Sequence, residues 1–409
     1  MKTQKTSNLR YQSICLPCES EAEYNNCVDD PQKFRQFVEA MIADYPELFP
    51  SEIKAGFNLH DKYNSLKQGV QFRRIKLKAT QAVYQVRPSS FLPYLGAKTA
   101  EIEKALYLRQ WGVPFEALAY CFGRDAMYYY RAWLSLGRNQ LVGTTVRVAQ
   151  KLPKDLIADE KHTRVCAVKK YLATTVGGGC LLGASLCAEA STESLQAGYG
   201  VFLAEAREVA ADYEPETVCL DGWPATREAW RKLSAKIVLI RCFLHMVLKI
   251  RAVTGGKELK QEISRRAWKV YQGATRREFA QRWRRFKDWA RAKTSGKVLE
   301  TVLKIHQIKN ELMVSYNHPA AARTSNGLDR LMDYQDRVIY SMRYFHGRKE
   351  TAELAVRAMA LQWNFHPYSL KTQAKGGRSS PFADLNGFQY QENWLHNLLC
   401  AASLGGRRL

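Results

Sequence analysis

Residues 217–251 read Thr-Val-Cys-Leu-Asp-Gly-Trp-Pro-Ala-Thr, then a short stretch of helical periodicity, then Ile-Val-Leu-Ile-Arg-Cys-Phe-Leu-His-Met-Val-Leu-Lys-Ile-Arg. The first four residues are an apolar run rich in β-branched side chains, closed by Asp221 and Gly222, which is the pattern of a buried strand. A second such run, 237–240, follows at the distance of one intervening helix, so the two strands are expected to be parallel. In open α/β sheets the working groups collect at the carboxyl ends of parallel strands, and Asp221 stands at such an end.

Working upstream, residues 155–158 begin an extended run that ends in Asp159-Glu160-Lys161-His162-Thr163. Residues 164–176 and 180–187 read as two more strands joined by Gly177-Gly178-Gly179, so three antiparallel strands are expected. Ser191 is placed to cap a helix through Leu195, Tyr199, Phe202 and Ala206 to Ala211. The resulting order, β-β-β-α-β-α-β, is that of the ribonuclease H fold, in which the first strand is central and the fourth lies beside it. Asp159 and Asp221, 62 residues apart, would then approach one another. Two close carboxylates repel unless a cation lies between them, and hard oxygen ligands favour Mg²⁺, with Mn²⁺ as a substitute. A pair of such ions activates a water or hydroxyl nucleophile and stabilises the leaving oxygen of a phosphodiester.

Composition points to the same kind of substrate. The 409 residues carry 62 Lys and Arg against 39 Asp and Glu, a formal charge of +23, which suits a polyanion rather than a small-molecule substrate. Eighteen of those cations against five acids fall within residues 249–309, a net +13 in a segment of helical periodicity. Phe279, Trp283 and Phe286, at spacings of four and three, are expected to form its core. Arg276, Arg277, Arg282, Arg284, Arg285 and Lys287 are expected to contact backbone phosphates. With no run of about eighteen apolar residues and no signal-peptide core, the chain is expected to be cytoplasmic and nucleoid-associated, without membrane contact.

Elsewhere the signals are weaker. Residues 1–30 are polar and patternless, with Cys15 and Cys18 read as solvated thiols in a loose segment rather than a metal site. Other cysteines, among them Cys166, Cys180, Cys187 and Cys219, lie in apolar runs and are expected to be buried and reduced. A helix is expected over 31–44, and two strands over 71–77 and 82–87 whose alternating cations suit either phosphate or water. Over 99–137 three short helices punctuated by Gly112, Pro114 and Gly123 suggest a helix-turn-helix that would bring Arg124, Tyr128 and Arg131 to a DNA groove. An ordinary three-helix packing unit fits the same pattern. Trp223 is expected in the core, and a terminal helix around 394–399 is expected to pack on the sheet.

After the basic segment comes Arg-Thr-Ser-Asn-Gly-Leu-Asp-Arg, residues 323–330, opening a helix. Asp159 in Ala-Asp-Glu-Lys-His-Thr, Asp221 in Leu-Asp-Gly-Trp, Cys242-Phe-Leu-His245 and Asp329 in that last stretch together resemble the DDE transposases of the Mutator-like insertion-sequence group. The resemblance implies an α/β, ribonuclease H-like catalytic core with a mixed five-stranded sheet, interrupted by an all-helical insertion and preceded by a helical DNA-binding region. Boundaries follow at 1–98, 99–150, 151–248, 249–318 and 319–409. It also implies Asp159, Asp221 and Asp329 as catalytic metal ligands for two ions, with Cys242 and His245 in support. The group typically has Glu at the third position, so Asp329 makes this triad Asp-Asp-Asp, with Asp333 and Asp336 as competitors on the same helix. The implied activity is cleavage at the terminal inverted repeats of a mobile element and transfer of the 3′-hydroxyl into target DNA, by a dimer or larger assembly. A nuclease on the same fold without strand transfer, and a silent DNA-binding descendant, are the alternatives.

Overall fold

The computed structural model describes residues 12–18, 21–66, 68–93 and 95–407. Strand β1 (Ser13–Leu16), helices α1 (Glu21–Val28) and α2 (Pro31–Asp44), and strands β2 (Phe57–Ser65), β3 (Val70–Leu77) and β4 (Val83–Pro88) come first. The strands form a sheet in the order β1-β4-β3-β2, with β1 parallel to β4. Helix α2 begins where the sequence places it, because Pro31 suits a first turn and the Asp30 carboxylate accepts from the N–H groups of Gln32 and Lys33.

Ordered structure over 12–18 and 21–28 corrects the expectation of a loose segment, whose residues 1–11 and 19–20 lie outside the described residues. Cys15 and Cys18 are buried, not solvated. The cations of β3 and β4 largely serve the fold. Arg73 is buried and donates to the carbonyls of Val28 and Asp29, Arg74 pairs with Asp61, and buried Arg87 donates to the Phe91 carbonyl.

Helices α3 (Thr99–Arg109), α4 (Phe115–Phe122), α5 (Ala126–Leu136) and α6 (Leu141–Thr145) follow. Gly123 closes α4 at φ +80°, a left-handed conformation that favours glycine, and the Asp125 side chain caps α5. The second sheet contains β5 (Asp155–Val165), β6 (Val168–Gly177), β7 (Cys180–Cys187), β8 (Thr217–Leu220) and β9 (Val238–Arg241). Helix α7 (Thr192–Val209) precedes β8, and α8 (Pro224–Leu233) joins β8 to β9. Its order is β7-β6-β5-β8-β9, with β5, β6 and β7 antiparallel and β5, β8 and β9 parallel. The element order and the central place of the first strand are therefore as expected.

Two local expectations are corrected in this sheet. Strand β5 runs through the expected 159–163 stretch to Val165, but the expected strand over 164–176 is broken by a turn at Cys166 and Ala167. Both turn residues have positive φ, and Cys166 is exposed rather than buried.

Helices α9 (Phe243–Val253), α10 (Lys257–Tyr271), α11 (Arg276–Lys293), α12 (Gly296–Gln307) and α13 (Lys309–Met313) enclose a core of their own that includes Ile263, Phe279, Trp283, Phe286 and Val302. The expected aromatic core of this segment is thus in place. Then come α14 (Asn326–Ser341), α15 (Lys349–Phe365), α16 (Leu370–Gln373), α17 (Pro381–Asn386) and α18 (Trp394–Ala401).

Two apolar layers sandwich the five-stranded sheet. On one face α7 and α8 pack Leu195, Phe202 and Trp230 against Leu156, Ala158 and Leu182. On the other, α14 and α15 share with Leu172, Val176 and Leu181 a core that continues through α5 into the first sheet. Helix α18 packs on β1, α3 and α15 rather than on the five-stranded sheet, which corrects its expected position. No helix among the described residues is long and apolar enough to cross a membrane.

Candidate functional site

Strand register brings the first two acids together. Ile157 pairs with Cys219 across the parallel β5 and β8 ladder, an offset of 62 residues, and Asp159 and Asp221 stand two residues further on at the same offset. Neighbouring strands lie about 4.8 Å apart, and residues in register on parallel strands share a face. Strand β8 ends at Leu220, so its backbone turns away at Asp221 while β5 continues, which opens a notch at the carboxyl end of the ladder. The Asp221 carboxylate accepts the Trp223 N–H at 2.6 Å. Gly222 adopts φ +90°, and a β-carbon there would lie 2.8 Å from the Arg241 guanidinium, so only glycine suits this turn. Trp223 is 52% exposed, contrary to its expected place in the core.

Asp159 is charged only at some expense. Burial first, then the adjacent Glu160 carboxylate and Asp221, push its carboxyl up to about 7 from an ordinary 3.8, while His245 pulls the other way. Glu160 points to the opposite face, as strand alternation requires, and there the hydroxyls of Tyr199 and Thr226 each donate to its Oε1 at 2.6 Å. That places one acid on each side of the central strand, the inner one fixed from α7 and α8. Sequence reasoning gave Glu160 no role beyond its place after Asp159, read Tyr199 only as part of a helix's apolar face, and found no signal in Thr226.

The third region reaches the notch through a sulfur. Cys242 follows β9 and precedes α9, and its Sγ accepts the Ser325 N–H at 3.2 Å at the start of α14. The Phe243 N–H donates to the Arg323 carbonyl at 3.0 Å beside it. Hydrogen bonding from Cys219, then from His245 and Ser325, draws the Cys242 thiol below its usual range. Cys242, then Asp159 and Asp221, raise the His245 imidazole. The His245 Nδ1 is buried with no hydrogen-bond partner among the described residues.

Asp329, one turn into α14, is raised by burial, then by Cys242 and Asp333, and lowered by His245 and Ser325. Of its competitors, Asp333 lies near enough to act on its carboxyl, while Asp336 is engaged elsewhere. Asp336 pairs with Lys161 at 2.5 Å, and Asp333 lines a separate cavity with Trp111, Arg337 and Trp363. A regular helix separates residues 329 and 336 by about 10 Å along its axis, so sharing a face does not give them a common target.

The donors available at the notch are carboxylate oxygens, which suit Mg²⁺ or Mn²⁺. Asp159 in particular is a half-buried acid whose charge is opposed by its neighbours, and a hard cation would offset that opposition. Among the described residues no three His, Cys, Asp or Glu side chains are grouped tightly enough to hold an ion as they stand. One oxygen of the Asp221 carboxylate, Oδ1, already accepts the Trp223 N–H.

Of the expected phosphate contacts on α11, Arg276, Arg277, Arg284 and Arg285 are exposed. Arg282 instead donates to the Lys269 carbonyl and pairs with Glu278, and the Lys287 side chain is only 15% exposed. On α5, Tyr129, Ala132 and Trp133 are buried, leaving Arg131 in solvent with Arg124 just ahead of the helix. Arg124 pairs with Glu101 at 3.5 Å, and the Tyr128 hydroxyl donates to the same carboxylate at 3.4 Å. No protein-family model matches the chain, and no curated protein matches it.

Proposed function

We propose that this protein is a DNA transposase whose five-stranded sheet is a ribonuclease H-like catalytic core interrupted by an all-helical insertion. The reading is carried by the β5 and β8 register, which sets Asp159, within the central strand, beside Asp221 just past the end of β8. Asp329 is the third member, approaching on α14 through the Cys242–Ser325 contact. Asp159, Asp221 and Asp329 would hold Mg²⁺ or Mn²⁺, which when bound would supply Lewis acidity toward a nucleophilic and a leaving oxygen.

The chain's own residues prepare that site. Asp159 and Asp221 hold their oxygens at one strand end, and His245 offsets part of their charge. Glu160, pinned by Tyr199 and Thr226, fixes the strand beneath Asp159. Exposed arginines of α11 and the solvent face of α5 bind the DNA backbone, and two copies of the chain pair two element ends.

The test is incubation with DNA carrying the ends of the encoding element and Mg²⁺ or Mn²⁺, with Asp159→Asn and Asp221→Asn as controls. Cut strands together with strands joined to target DNA are expected, and both disappear in the controls. Cutting without joining would leave a nuclease, and binding without cutting a silent DNA-binding protein.

A further inference from the structure

Beside Asp221 the helical unit leaves a cavity of about 310 Å³ that no role described so far uses. Its floor is apolar: Met246 of α9, Ile305 of α12, Leu312 of α13 and Ile308 between the last two. Its rim is cationic, with Arg241 at the end of β9, Lys249 on α9 and Lys304 on α12. Lys249 and Lys304 are exposed and have no ion-pair partner among the described residues, whereas Arg241 is held by Glu311 at 3.0 Å. Asp221 itself forms part of the wall, so whatever enters lies directly beside the proposed cutting site.

Size and chemistry select the occupant. The volume is at the small end of ligand cavities, about 300 Å³ and upward, and is far too small for a base pair or a duplex. A single nucleotide has a flat, weakly polar face for the apolar floor and a phosphate for the lysines. We infer that this cavity is a nucleotide subsite that takes one unpaired nucleotide of the DNA strand next to the phosphodiester being cut. Its base lies on Met246, Ile305, Ile308 and Leu312, and its phosphate lies against Lys249 and Lys304. Exposed Trp223, two residues from Asp221, supplies a further aromatic surface at the same end of the sheet. The subsite explains why a helical unit with a complete core of its own is set against the end of β8. It rests on the transposase reading for the identity of the strand.

The test is binding without divalent ion, so that it stands apart from cutting. The probes are a blunt duplex and the same duplex with a short single-stranded overhang carrying 2-aminopurine. The overhang is expected to bind about tenfold more tightly, the value of roughly one stacked base, with a change in 2-aminopurine fluorescence. Ile308→Glu, at a partly exposed wall position, removes the preference and the fluorescence change while leaving blunt-duplex affinity within about twofold. Lys304→Glu, at an exposed rim position that the fold does not use, weakens the overhang complex more than the blunt one. Equal affinity for both probes in the native protein, or a preference that survives both variants, overturns the subsite. A protein that cuts and joins DNA yet shows no overhang preference loses the subsite and keeps the function. One that prefers the overhang but never cuts keeps the subsite and loses the function.

Discussion

Cys242 and Ser325 meet 83 residues apart in the chain, the Ser325 N–H donating to the Cys242 sulfur at 3.2 Å and its hydroxyl lying 3.3 Å from the same atom. The contact ties the end of β9 to the first turn of α14, the turn that carries Asp329. A C-x-x-H segment and a Thr-Ser-Asn segment therefore act as two halves of one joint, with the whole helical unit threaded between them. Cys242→Ala leaves the buried Ser325 N–H without a partner, which costs about 1–3 kcal/mol. A denaturant midpoint measures the loss. Cys242→Ser, which keeps an acceptor, should lose less in both stability and cleavage, and an equal loss in the two variants would show that volume rather than the hydrogen bond matters.

Asp159 links the site to pH. Its folded-state value of about 7 lies above the ordinary 3.8, so the fold prefers the protonated form. The stability this confers is fully present below the ordinary value and is lost as pH rises through about 7. After allowance for solvent screening the change is on the order of 2 kcal/mol. Urea melts across that range should show wild type falling more steeply than Asp159→Asn, which is the more stable protein at pH 8. Mg²⁺ should raise the melting temperature of the wild type and not that of the variant. A variant less stable than wild type at pH 8 would contradict the half-buried charge.

For cleavage the same substitution acts in the opposite direction. Loss of an outer partner of a metal site typically costs about 10–100-fold in affinity or activity, so removal of Asp159 or Asp221 should exceed that. Single-turnover rates on end-sequence DNA with Mg²⁺ measure it. Asp333→Asn, whose residue lines a different cavity, should remain close to wild type, and the reverse ranking of Asp329 and Asp333 would reassign the third acid.

Much of this architecture was legible in the sequence because it is written in short-range patterns. Strands 180–187 and 217–220, the Ser191 cap and the Pro31 start each depend on a few neighbouring residues, and each is found where it was read. The approach of Asp159 to Asp221 was legible at one remove, since element order fixes which strands are neighbours. What failed depends on distant partners. Strand β1 has only four residues, and its register, Ile14 with Val86, is set about seventy positions away. Trp223 looked like a core residue by type alone, but the left-handed turn at Gly222 leaves it in solvent. Nor does a count of cations distinguish Arg284, which is exposed, from Arg282, which caps a neighbouring carbonyl.

Gly222 offers a separate test of the notch. Gly222→Ala combines a positive φ with a β-carbon 2.8 Å from the Arg241 guanidinium, and should destabilise the protein by about 1–3 kcal/mol. Because the displaced turn also carries Asp221, the rate of DNA cutting should fall even where the protein remains folded. Adding Arg241→Ala relieves the collision but not the backbone strain, so only part of the stability should return. Full recovery would show that crowding alone accounts for the effect.

On α11, Arg276, Arg277, Arg284 and Arg285 are exposed while Arg282 and Lys287 are only partly so, and the two groups make opposite predictions from one helix. Arg284→Ala or Arg285→Ala should weaken DNA binding by a similar factor on any sequence, and each should flatten the dependence of log affinity on log salt by about one unit. Arg282→Ala removes a donor to the Lys269 carbonyl and the pairing with Glu278, so its effect should appear in the thermal melt with the salt slope nearly unchanged. Fluorescence anisotropy across a salt series, run beside melting curves, separates the two classes. If Arg282→Ala changes the salt slope as much as Arg284→Ala does, the helix meets DNA on a different face, and the exposed row from Arg276 to Arg285 is a solvated surface.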